Sequence, residues 1–217
     1  QEFLVKMSKV KTRELIKVAI APGSLLPSGL DLDSLLIFLS NQSSFSFEAI
    51  RCQSYEDALI MLTNGTAQMG WLGPFSSSQA MKEGHVEPFA VGLLKGQLSS
   101  NYHSIFITKA NSDINKLENV KGKIIIVGNL NSTSGYIVPK RELDDVGINL
   151  NNSFHFSKII QSQNHDDAIK LLLESNADVA AVSSVNFDEN IKRHAIYSDQ
   201  IRIIHKSKPI PGAPLVF

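Results

Sequence analysis

The residues with the clearest chemistry lie in one stretch, Gly128-Asn129-Leu130-Asn131-Ser132-Thr133-Ser134-Gly135, directly after the apolar run Ile124-Ile125-Ile126-Val127. Three consecutive hydroxyls between a strand exit and a helix start bring O–H groups, free backbone N–H groups and the positive end of a helix dipole to one point. An oxyanion with several acceptor oxygens suits that point, because each hydroxyl donates without adding charge. The competing reading makes Ser132 or Thr133 a plain helix cap, which needs one hydroxyl rather than three. His165 stands in Gln163-Asn164-His165-Asp166-Asp167, at the start of a second helix that Asn164 can cap. Its imidazole is a candidate donor to the same anion, against the bland reading of a surface histidine. Asp166 and Asp167 are read as charges complementing the helix N-terminus. No Gly-Lys-Ser/Thr phosphate loop and no GxGxxG turn accompany these residues, which disfavours nucleotides.

Ser134 with His165 is the one nucleophile-and-base pair that the sequence offers. No Gly-x-Ser-x-Gly elbow and no acid to orient the histidine can be identified, so no catalytic residue is assigned and an enzyme is the less favoured class. The 217 residues hold 21 Lys+Arg and 21 Asp+Glu for a formal net charge of zero, and 43% are hydrophobic. That is the composition of a folded globular protein, without the clustered basic excess of a nucleic-acid or membrane-surface binder. Any bound anion must therefore be held locally. Cys52 is the sole cysteine, which excludes an intramolecular disulfide and a multi-cysteine metal site. No metal and no cofactor are expected. No stretch approaches the roughly 20 apolar residues of a membrane span. The start Gln1-Glu2-Phe3-Leu4-Val5-Lys6-Met7 lacks the order of a secretion signal, which leaves a processed protein, an excised domain or a cytoplasmic one.

The elements that must position these residues alternate short apolar runs with longer amphipathic ones, an α/β pattern. Strands are expected at 15–20, 45–52, 68–72, 89–94, 102–108, 123–127, 154–160, 178–182 and 201–205. Helices are expected at about 29–39, from Ser54 to Leu62 behind a Ser54/Asp57 capping box, from Pro74 to Met81, from Ser134 to Val146 and from His165 to Glu174. Asn64-Gly65 and Gly147 are helix stops. The prolines of Pro209-Ile210-Pro211-Gly212-Ala213-Pro214 favour an extended connector. Two similar series imply two lobes: 14–106 completed by 208–217, and 107–207. Ligands of such sheets bind beyond the strand carboxyl ends, here the turns at 21–24, 73–76, 129–135 and 161–166.

Tyr55-Glu56-Asp57-Ala58, Trp71-Leu72-Gly73-Pro74, Tyr102-His103-Ser104, Ser132-Thr133-Ser134-Gly135-Tyr136 to Pro139, His165-Asp166, Asp178-Val179-Ala180 and Ile210-Pro211-Gly212 occur in that order. Together with Leu117 through Lys123, they resemble the phosphate/phosphite/phosphonate-binding proteins of ABC transporters over nearly the whole chain from about Ile16. The Ser-Thr-Ser-Gly run with a downstream His-Asp is the most specific piece. The resemblance implies a two-lobed type II periplasmic-binding-protein fold with two crossover connections, closing on a small tetrahedral phosphorus oxyanion. It implies an extracytoplasmic or periplasmic protein that hands its ligand to an ABC permease and does no chemistry on it. By matching positions, Ser132, Thr133, Ser134 and His165 hold the oxygens from the second lobe, and Tyr55 and Tyr102 reach in from the first lobe and its crossover. A phosphate-like group carries about −1.5 to −2 charge near neutrality and suits such convergent donors. For both tyrosines the alternative is a buried aromatic with one satisfied hydroxyl.

Two departures from the family shape the expectation. Members that resemble this chain and bind aminoalkylphosphonates carry two carboxylates for the ammonium, at places that correspond here to Ala213 and Val185; Asp188 compensates only if the alignment slips by a few residues. A ligand without an amino group is expected: phosphite, methylphosphonate or phosphate. Members also continue beyond the second crossover, whereas this sequence stops at Phe217. That leaves a trimmed transport component or the related sensor domain of a signalling receptor.

Overall fold

The structure is a computed structural model, and it describes residues 13–22, 32–93 and 98–217. The chain starts with β1 (Glu14–Ile20), α1 (Leu32–Gln42), β2 (Phe45–Arg51), α2 (Tyr55–Thr63), β3 (Met69–Trp71), α3 (Pro74–Lys82) and β4 (Pro88–Val91). It then crosses to β5 (Ser104–Lys109), β6 (Ile124–Val127), α4 (Val138–Asp145), β7 (Lys158–Gln161), α5 (His165–Glu174), β8 (Val179–Ser183), α6 (Ser184–Arg193) and β9 (Ile201–Lys206). It crosses back to end in β10 (Pro214–Val216).

These strands form two five-stranded sheets of the same plan, ordered β2-β1-β3-β10-β4 and β7-β6-β8-β5-β9. In each, three parallel strands are followed by an antiparallel strand that enters from a crossover. The fold is thus α/β and two-lobed, with two crossover connections. The crossovers run side by side, since Tyr102 and Ile210 exchange backbone hydrogen bonds of 2.9 and 2.7 Å.

The second sheet shows why its strands read as continuous apolar runs. Successive side chains point to opposite faces, so Phe106, Ile125, Val127, Val179 and Ala181 enter one core. Ile105, Ile107, Ile126, Ala180 and Val182 enter the other. Helices cover both faces, leaving no solvated side to alternate toward. In the first lobe, Val18, Ile20 and Trp71 pack on one side and Ala19, Ala21 and Leu72 on the other.

Several elements lie where the sequence puts them. The Ser54/Asp57 capping box is present, at 3.0 and 3.1 Å, and Gly65 and Gly147 close their helices at φ of +75° and +74°. Residues 29–31 of the first expected helix, 23–24 of the first expected turn and Leu94 lie outside the described residues. Three expectations are corrected. The helix expected from Ser134 opens instead as one π-helical turn, Thr133–Ile137, before α4. The strand expected from Phe154 starts only at Lys158, because the Asn152 side chain accepts from the Phe154 N–H at 3.0 Å and holds a 3-10 turn at Ser153–His155. Helix α6 has no counterpart in the expected series.

Candidate ligand-binding cleft

A cavity of about 400 Å³ opens between the lobes at the carboxyl ends of the strands. All six candidates, Tyr55, Tyr102, Ser132, Thr133, Ser134 and His165, line it. Tyr55 begins α2 beside its Ser54 cap, Tyr102 sits on the first crossover, the hydroxyl triplet is the exit of β6, and His165 opens α5.

The hydroxyls divide their work. Ser132 Oγ accepts from the Gly135 N–H at 3.1 Å, so the capping reading holds for this one group. Thr133 Oγ1 accepts from the Phe75 N–H at 3.0 Å, which ties the turn to the start of α3 in the opposite lobe. A hydrogen bond between Asn131 Nδ2 and Glu56 Oε1 makes a second tie between the lobes. The Tyr55 hydroxyl lies beside Ser132 and the Tyr102 hydroxyl beside Ser134 and Thr133, close enough for each to lower the phenol's pKa. Burial pushes both phenols up, Tyr102 to about 12, so both keep their protons as donors. The backbone N–H groups of Thr133 and Ser134 have no acceptor among the described residues. Such π-helical turns are frequent where a helix must present groups to a site.

Gly135 makes this crowding possible. A Cβ there would stand 2.8 Å from Ser132 Oγ, 3.2 Å from the Gly128 Cα and 3.3 Å from His165 Cε1. The turn is held from behind by Ser104 Oγ, which donates to the Ser134 carbonyl at 2.7 Å.

His165 is 7% exposed. Its Nδ1 accepts from the Ser183 N–H at 3.3 Å, so the neutral ring carries its proton on Nε2, 3.4 Å from Ser134 Oγ. Burial lowers its pKa to about 4, and Asp166 offsets only part of this. At neutral pH the imidazole is an uncharged donor aimed into the cleft.

The far wall is the start of α6. Ser184 is anchored to the first crossover, its Oγ accepting from the His103 N–H at 3.0 Å. Val185 and Ala213, the two positions where carboxylates were expected to be missing, both face the cavity. Asp188, the carboxylate that could stand in for the missing pair, lines it too, as does Glu189. They do not form a bare negative patch. Asp188 lies in the field of Lys192 and Lys206, both on the wall, and Lys192 reaches Glu189 at 3.1 Å. Sequence reasoning also missed Asn186 and Ser184, and the Ser183-Ser184 pair after an apolar strand was the signal available for them. Trp71 lines the cleft and donates from Nε1 to the Ala213 carbonyl at 3.2 Å, fixing the second crossover. Among the described residues, no three His, Cys, Asp or Glu side chains converge to hold a metal.

The model of a family described as ABC transporter, phosphonate, periplasmic substrate-binding protein matches residues 31–217. The chain belongs to this family. One relative is a probable ABC transporter phosphite binding protein, PhnD1, of Prochlorococcus marinus, 25% identical over 162 residues. That match covers 72% of this chain and 53% of the relative, so the chain spans about half the length of that protein. Among solved structures, the binding protein component of an ABC phosphonate transporter from Pseudomonas aeruginosa superposes with a TM-score of 0.80 at 24% identity. It covers 94% of this chain and 68% of that one. PhnD1 of Prochlorococcus marinus in complex with methylphosphonate gives 0.74 at 20% identity, over 94% of this chain and 76% of that one. These superpositions carry the fold. No helix among the described residues is long and apolar enough to cross a membrane.

Proposed function

We propose that this chain captures a small phosphorus oxyanion between its lobes, outside the cytoplasm, and delivers it to an ABC permease. The observation that carries the reading is the convergence of Ser132, Thr133, Ser134, His165, Tyr55 and Tyr102 on one cavity, all uncharged donors at neutral pH. An anion there exchanges water for several hydrogen bonds to its charged oxygens, each worth about 1.5–3 kcal/mol. The paired crossovers at Tyr102 and Ile210 serve as the hinge, and the ties Thr133 to Phe75 and Asn131 to Glu56 hold the closed form. Membership in a phosphonate-binding family supports the ligand class.

Two features favour binding without turnover. The Nδ1 bond to a backbone N–H leaves Nε2 protonated, so His165 offers Ser134 a donor and not a base. No carboxylate orients the ring either, since the Nδ1 partner is an amide.

Among phosphorus oxyanions we propose phosphite, methylphosphonate or phosphate, and exclude aminoalkylphosphonates. Val185 and Ala213 offer an ammonium no charge, and the nearby Asp188 and Glu189 already face lysines. Calorimetric titration with these three ligands and aminoethylphosphonate tests this. At least one of the three should bind and the amino compound should not. Tight binding of aminoethylphosphonate would reverse the assignment, and heat from none of them would remove it.

A further inference from the structure

We propose that Asn186 reads the fourth substituent on phosphorus, and that among phosphonates larger than methylphosphonate the chain prefers one whose substituent ends in an uncharged hydrogen-bonding group such as a hydroxyl. This rests on the phosphorus-oxyanion reading above. Asn186 is 4% exposed and lines the cavity. Its backbone N–H is committed to Ser183 Oγ at 3.5 Å, while its side-chain amide bonds with nothing among the described residues. Its neighbours on the same helix contrast with it. Ser184 Oγ is engaged by the His103 N–H, and Asn190 donates from Nδ2 to Asp166 at 3.0 Å while its Oδ1 is buried without a partner among the described residues, away from the cavity. Its amide atoms are not among the fully buried polar atoms left without a partner, so they open on the cavity, where a ligand group that bonds with them gains a hydrogen bond that a group merely filling space does not.

The position suits this role. Ser183 links the two poles of the cleft, its N–H bonding to His165 Nδ1 and its Oγ accepting from Asn186. The amide thus stands on the wall next to the oxyanion donors, where the substituent must point once the oxygens are held. Among the described residues the charges on this wall match, Asp188 and Glu189 against Lys192 and Lys206, so it favours neither sign of charge on the substituent. An amide both donates and accepts, and a hydroxyl answers both. Space is sufficient as well. The five heavy atoms of methylphosphonate occupy roughly 150 Å³ if each is given a water's share of liquid volume, against a cavity of about 400 Å³.

The test compares ethylphosphonate with 2-hydroxyethylphosphonate by calorimetry on the unmodified chain and on Asn186→Ala. The unmodified chain should prefer the hydroxyl compound by about five- to tenfold, the range of one net hydrogen bond. In Asn186→Ala the ratio should fall to about one. Equal affinities in the unmodified chain, a ratio that survives the substitution, or a preference for 2-aminoethylphosphonate would each overturn the inference. The first comparison needs no variant, so a poorly folding Asn186→Ala does not shield the claim. Binding of ethylphosphonate without a hydroxyl preference removes this inference and leaves the oxyanion reading standing; binding of neither compound, nor of any smaller oxyanion, removes both.

Discussion

Acidification should destabilise the unliganded protein through His165 in particular. The folded protein holds this imidazole at a pKa of about 4 by burial, whereas the unfolded chain titrates it near its ordinary value of 6.5. A lowered histidine pKa means that the unfolded state binds the proton first, so stability falls as pH drops below about 6.5 and levels off below about 4. Across that window the loss is about 3 kcal/mol, at 1.36 kcal/mol per pKa unit. For a chain of this length that corresponds to a melting temperature lower by about 6–12 °C. Protonation also adds a hydrogen on Nδ1, facing the Ser183 N–H that now points at it. The assay is urea unfolding of the unmodified protein and of His165→Gln at half-unit steps from pH 7.5 to 4. Other carboxylates and histidines contribute to both curves, so the difference between them isolates the ring. The unmodified protein should lose about 3 kcal/mol more than the variant. Saturation with a bound oxyanion should shrink that excess, because a negative charge beside Nε2 raises the ring's pKa. Parallel curves without ligand would refute the buried, neutral imidazole and with it the account of the cleft as a set of uncharged donors.

The turn itself supplies two further predictions. Ser134→Ala should weaken oxyanion binding by about 1–3 kcal/mol at nearly unchanged stability, since Ser134 Oγ faces the cleft and supports no backbone group; unchanged affinity measured by calorimetry would reduce it to a bystander. Gly135→Ala should cost more affinity than Ser134→Ala, because its Cβ displaces Ser132 Oγ and presses on both the Gly128 backbone and the His165 ring; a variant binding as tightly as the original would show that the turn tolerates the shift.

What could be read from the sequence was whatever local chemistry decides. Helix α5 begins and ends at His165 and Glu174 as expected, because Asn164 caps it and its apolar residues recur at helical spacing. The hydroxyl triplet was recognisable because strand, turn and helix are contiguous there. Helix α6 was hidden because Ser183 is both the last residue of β8 and the cap of the helix, leaving no loop to announce a change. Its apolar stripe is thin, with Val185, Phe187 and Ile191 among ten residues. The strand expected at Phe154 failed for the opposite reason, a local Asn152 bond overriding an apolar residue that ends 91% exposed. Contacts across the cleft were beyond local reading altogether. Phe75 meets Thr133 across 58 positions of sequence, and nothing near either residue encodes the other.

Each sheet borrows its fourth strand from the far side of a crossover, and for the first sheet that strand is β10. Among the described residues Pro88–Val91 pairs with β10 alone, so the edge of the first sheet cannot be laid down until residues 214–216 have been synthesised. The second sheet, whose strands all lie between Ser104 and Lys206, is complete earlier. During synthesis the second lobe can therefore form while the first still waits, with an open seam, for its fourth strand.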